Sequence, residues 1–156
     1  MATNMETIWA ALAERLAAVE GFKEFTRRPK LQYATEELPV LSLWDSEGEE
    51  TLTTDADAPA PFWKLTAEIG ILARTVETDS APTTQLNDLI YAVRTALERQ
   101  PSDPLGSGAF YGSGHVKHYT NLGGLVRTLA ITKVDKGMGA ATGQAVASLL
   151  IEMEAL

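Results

Sequence analysis

The chain contains no cysteine, which excludes disulfide scaffolds, thiolate nucleophiles and Cys-ligated zinc. Histidine is nearly as scarce. His115 and His118 are the only two, spaced His-x-x-His in a glycine-rich stretch without a third obvious ligand, whereas a metal site needs three or four. No metal or other cofactor is expected. Basic residues are in deficit, with 13 Lys and Arg against 21 Asp and Glu and a formal net charge of −8, whereas gripping duplex DNA takes clustered cations. Long apolar runs are missing too. The longest uncharged run, residues 137–151, carries Gly, Thr, Gln and Ser and falls short of the roughly 20 apolar residues of a membrane span. Glu6 stands where a secretory signal would be basic. A soluble protein made in the cytoplasm is expected.

What is present suits one globular domain. The 156 residues, 45% of them hydrophobic, are enough to bury a single core, so residues 1–156 are read as one unit. The dominant signal is residues 62–76, where Trp63, Leu65, Ala67, Ile69, Ile71 and Ala73 alternate with more polar neighbours, the period of a long half-buried strand. An amphipathic helix follows over about residues 82–100, with Leu86, Leu89, Ile90, Val93 and Leu97 on one stripe, Ser80 as cap and Pro101 as terminator.

Around this pair the remaining elements fall into order. Thr3 and Glu6 form a Thr-x-x-Glu capping box, opening a helix whose apolar face runs from Met5 to Val19 and stops at Gly21. Residues 22–26 and 38–44 read as short strands, the second opening at Pro39 as an edge strand or a strand's first residue would. Residues 125–134 and 144–153 alternate as two closing strands. Between these lie two long irregular stretches, acidic over residues 45–57 and rich in Gly, Pro and aromatics over residues 101–124. The order predicts an α+β fold, a mostly antiparallel four- to five-stranded sheet covered on one face by two helices, with long acidic and Gly-rich loops.

No catalytic constellation emerges. The run Asp45-Ser46-Glu47-Gly48-Glu49-Glu50 superficially resembles a calcium loop, but its glycine falls at position four and no bidentate Glu follows at twelve. A solvated acidic loop is the simpler reading. The glycines after residue 105 do not follow a strand and open a helix with Gly-Lys-Ser/Thr, so they form no phosphate loop. Carboxylates such as Glu68 or Asp88 carry no acid–base assignment without a pocket.

The assembled pattern resembles the bacteriophage tail terminators of the lambda type, also called tail-completion or minor tail proteins. The residues carrying it are Val19-Glu20-Gly21-Phe22, Arg27-Arg28, Leu38-Pro39-Val40-Leu41, the acidic insertion, the strand from Lys64, the helix from Leu86 to Leu97, and Leu149-Leu150-Ile151-Glu152-Met153. The resemblance implies a non-enzymatic virion protein at the head-proximal end of the tail. Copies of itself would close a ring, typically a hexamer, that caps the tail tube protein and docks the head-tail connector or neck protein. DNA would pass through the lumen without specific binding, and no membrane is involved. Expected contact residues are Arg27 and Arg28, the acids Glu47, Glu49, Glu50, Asp55 and Asp57, and Phe62, Phe110, Tyr111, His115 and Tyr119. A neck adaptor shares this build, and a small ligand-binding regulatory domain or a carboxylate hydrolase stays open on the residues alone.

Overall fold

The computed structural model describes residues 4–30, 32–45, 48–53, 62–75, 84–100, 103, 119–138 and 143–155. Their elements are α1 (Met5–Ala17), β1 (Glu24–Thr26), β2 (Val40–Trp44), β3 (Glu50–Thr53), β4 (Phe62–Arg74), α2 (Thr84–Ala96), β5 (Thr128–Met138) and β6 (Gln144–Ala155). The fold is α+β. Its sheet runs β1-β2-β4-β6-β5, with β3 joining β4 beside β2, and has six strands rather than four or five. The extra one is β3, hidden within the acidic stretch. Every pair is antiparallel except β1 with β2, which run parallel and make the sheet mixed.

The alternation of β4 does what its period demands. Leu65, Ala67, Ile69, Ile71 and Ala73 are all buried, and β6 runs opposite along the whole strand, setting Met153, Ile151, Leu149, Ala147 and Ala145 across from them. Both helices lay their apolar stripes on this face. Ile8, Leu12 and Leu16 of α1 and Leu86, Leu89, Ile90 and Val93 of α2 join the same core, each such side chain contributing about 1.5–3 kcal/mol of burial.

Several boundaries move for local reasons. The cap of α1 is Asn4, not Thr3: its side chain accepts from the Glu6 N–H at 2.9 Å, a role in which asparagine is as effective as threonine. Helix α2 ends at Ala96, before Pro101 would stop it. Leu97 N–H is shared between the Val93 and Arg94 carbonyls, and Glu98 then leaves to form a β-bridge with Tyr119. Strand β5 begins at Thr128 rather than near residue 125 because Asn121 organises a turn, accepting from the N–H groups of Gly124 and Val126. Leu122, Gly123 and Gly124 hold positive φ there. The expected cap Ser80 lies outside the described residues. Pro39, taken as a strand start, follows a cis bond and precedes β2, which is flanked on both sides and is no edge.

The face away from the helices is open over much of its area. At one end residues 32–38 fold over it, where Tyr33, Leu38, Val40 and Leu72 make a second small cluster. Gln144 Nε2 donates to the Tyr33 carbonyl at 2.9 Å and Arg74 Nε to the Thr35 carbonyl at 3.0 Å, fastening the segment.

Candidate functional site

Arg27 is one of the expected contact residues. The fold brings it instead between two of the chain's own carboxylates, directly after β1. Its Nη1 donates to Glu6 Oε1 at 2.7 Å, its Nη2 to Asp45 Oδ2 at 2.7 Å, and its Nε to Asp45 Oδ1 at 3.2 Å. The Glu6 and Asp45 hydrogen bonds raise the guanidinium's pKa further, and the Glu6 carboxyl is held below its ordinary value chiefly by the hydrogen bond from Arg27. The first turn of α1 is thereby tied to the end of β2. Arg28 is exposed beside it, its backbone N–H capped by Thr26 Oγ1.

The acidic stretch is partly built into the sheet. Gly48 sits where a Cβ would lie 1.9 Å from the Thr66 carbonyl oxygen, so only glycine fits this approach to β4. Glu49 N–H then donates to Thr66 Oγ1 at 3.0 Å, while Thr66 N–H donates to the Glu49 carbonyl at 2.8 Å. From there Glu50 opens β3, and its carboxylate accepts from Trp9 Nε1 at 3.1 Å, joining β3 to α1. The glycine that spoils a calcium-loop spacing is thus a point of backbone contact. Glu49 and Glu50 are exposed.

Of the aromatic candidates, Phe62 is half-buried, with the Arg127 guanidinium 5.8 Å from its ring centroid. Tyr119 packs against the core as the partner of Glu98. Glu47, Asp55, Asp57, Phe110, Tyr111 and His115, with His118, lie outside the described residues. What sequence reasoning missed is Asp103, which is buried. Burial pushes its carboxyl up, but donors from the Gln100 and Gly123 N–H groups and the Thr120 hydroxyl, with the Arg15 charge, outweigh burial and hold it below the ordinary aspartate value. Its only sequence signal was a lone acid among prolines and glycines.

Two surfaces stand out. The first is the open face, where Glu68, Asp135, Glu152 and Glu154 outnumber Lys64, Arg74 and Lys133. Lys64 Nζ pairs with Glu152 at 3.2 Å, and the Ser148 hydroxyl donates to Glu68. A groove of about 320 Å³ opens beside this face under Pro29, Lys30 and Gln32, walled by Tyr33, Val40, Trp44, Leu72 and Val146. Its floor is Gly70, where a Cβ would come within 2.6 Å of Ser42 Oγ and 3.1 Å of the Trp44 indole nitrogen. Ser42 Oγ accepts from Trp44 Nε1 and Gln144 bonds Tyr33, so these polar side chains are engaged within the protein. Among the described residues no buried side-chain polar atom is left unpaired. The Ser42, Trp44 and Gln144 groups of the groove are therefore not free to orient a small-molecule ligand.

The second surface is the sheet's two edges. On one side β5 is the outermost strand and, beyond a bulge between Ile131 and Lys133, every residue from Thr132 to Met138 is exposed. On the other side the edge is shared by β1 and β3, and β3 presents Glu50, Thr51 and Leu52, all exposed. An open strand edge carries unpaired N–H and C=O groups and is a template for another strand.

No family model matches this chain, and no curated protein does. Among solved structures, a chain in the virion of a native gene transfer agent particle is similar, with a TM-score of 0.52 and 16% identity over 94% of this chain and 92% of that one. At that identity the likeness is one of fold, and it spans nearly the whole of both chains.

Proposed function

We propose that this protein is a structural subunit of a phage-like virion, and that its copies close a ring that caps the tail tube, halts its growth and docks the head-tail connector. The observation that carries this reading is the fold shared along almost the full chain with a component of a gene transfer agent virion. The architecture is compatible with it. A head-to-tail interface generates a ring when its rotation closes, and this sheet has unlike edges for such an interface, β5 on one side and β1 with β3 on the other. The open face, with its surplus of carboxylates, would repel phosphate if it faced a lumen, letting DNA pass without being held. No reaction chemistry is needed, because an occluded tube end cannot add subunits.

The test is electron microscopy of particles assembled without this chain. Overlong tails of variable length, detached from heads, are the expected result. Tails of normal length that fail to join heads would make the protein a neck adaptor, and unaffected particles would end the virion reading.

A further inference from the structure

The edges made by β5 and by β3 differ in chemistry, and the difference is complementary. On the helix-covered side, the outer half of β5 shows Val134, Lys136 and Met138, since these stand opposite the core residues Leu149, Ala147 and Ala145 of β6. Val134 is 38% exposed and Met138 65%, although they point to the face that elsewhere forms the core. Tyr91, 70% exposed, lies one helical turn beyond Asn87, which accepts from Lys136 Nζ at 3.0 Å, so it borders the same patch. On the opposite edge, β3 shows Glu50 and Leu52 on that same side, opposite Leu65 and Trp63 of β4. Leu52 is 45% exposed.

We infer that β5 of one copy pairs antiparallel with β3 of the next, with Leu52 facing Val134. Direction follows from symmetry. β3 runs antiparallel to β4, β4 to β6 and β6 to β5, so a rotation that keeps every copy upright brings an ascending β5 beside a descending β3. Register follows from the side chains. Setting Leu52 opposite Val134 places Glu50 opposite Lys136, an apolar pair and an ion pair on one face. Sliding by two residues to put Leu52 opposite Lys136 would bury a lysine against a leucine and leave Glu50 facing Met138. The chosen register displaces the strands by about six residues over four strand spacings, roughly 20 Å along for 19 Å across, a tilt of about 45° like that of closed barrels. The occupant of the β5 edge is therefore a second copy of this chain, in a contact that uses unlike edges and so propagates until it closes.

This pairing rests on the ring reading above and can fail separately from it. Because the chain has no native cysteine, a variant carrying Leu52→Cys and Val134→Cys reports the contact directly: facing residues of paired strands lie about 4.5–5.5 Å apart, within disulfide reach. Mild oxidation should give a ladder of covalent multimers ending at the ring, while either single variant stays uncrosslinked. In a second arm, Glu50→Lys and Lys136→Glu should each shift the protein from ring to monomer on sizing, and the double reversal should restore the ring, which lost contacts to Trp9 or Asn87 would not explain. Wild-type rings that give no ladder in the double-cysteine variant would overturn the pairing while leaving the ring. Dimers from either single variant would overturn it in favour of like edges meeting.

Discussion

The two faces of β4 are made by the same thirteen residues and obey different rules. On one, Ile69 and its alternate neighbours meet two helices and are sealed from water. On the other, Glu68, Thr66 and Lys64 meet a serine hydroxyl, the Glu49 N–H and a neighbouring carboxylate in turn. The covered face holds the fold together by removing apolar area from water, a non-directional gain that tolerates little polarity. The open face contributes little to stability and is correspondingly free to carry charge for a task. The edges lie between these extremes, with apolar residues on the core side that nothing within the described residues covers.

Adjacent substitutions would break this comparison most sharply. Replacing Ile69 by Asp puts an unpaired carboxylate among Leu43, Leu149 and the helices, and should cost more than about 4 kcal/mol. The expected result is insoluble or unfolded protein, read by circular dichroism and yield. A soluble, cooperatively melting I69D protein would mean that the face is not the core.

A smaller effect is expected at Asp103, which ties Gln100 to Thr120 and Gly123 through the donors of all three. Asp103→Ala should cost about 2–3 kcal/mol, because these donors lose a charged acceptor. The pH dependence has a definite sign. The folded-state value lies below the ordinary 3.8, so the carboxylate's contribution is fully present above that value and is lost as pH falls through the depressed one. Urea midpoints measured from pH 6 downward should fall more steeply in the wild type than in D103A. The smallest effect belongs to the open face. Glu68→Ala should change stability by less than about 0.5 kcal/mol, and a loss as large as that of D103A would show that this face is structurally committed.

How much of this was legible before folding depended on how local the cause was. The alternation of β4 and β6 and the stripe of α2 are properties of a few neighbouring residues, and they located the core and both helix-bearing segments directly. Strand β3 was illegible because Glu50-Thr51-Leu52-Thr53 carries a single apolar residue; its pairing depends on Gly48 and Thr66, eighteen positions apart by a close backbone approach. Arg27 looked like a free cation because its partners, Glu6 and Asp45, lie 21 and 18 residues away. Asp103 resembled any loop acid until Thr120 and Gly123 closed over it.

The sequence by itself determined the fold class, the identity of the buried face and the absence of thiol chemistry, since periodicity and composition act through nearest neighbours and through what is simply not there. Only the tertiary structure decided which strands became edges, that β1 runs parallel to β2, and which charges were consumed internally. Those outcomes depend on contacts between residues far apart in the chain, and no local pattern encodes the distance at which two such residues will meet.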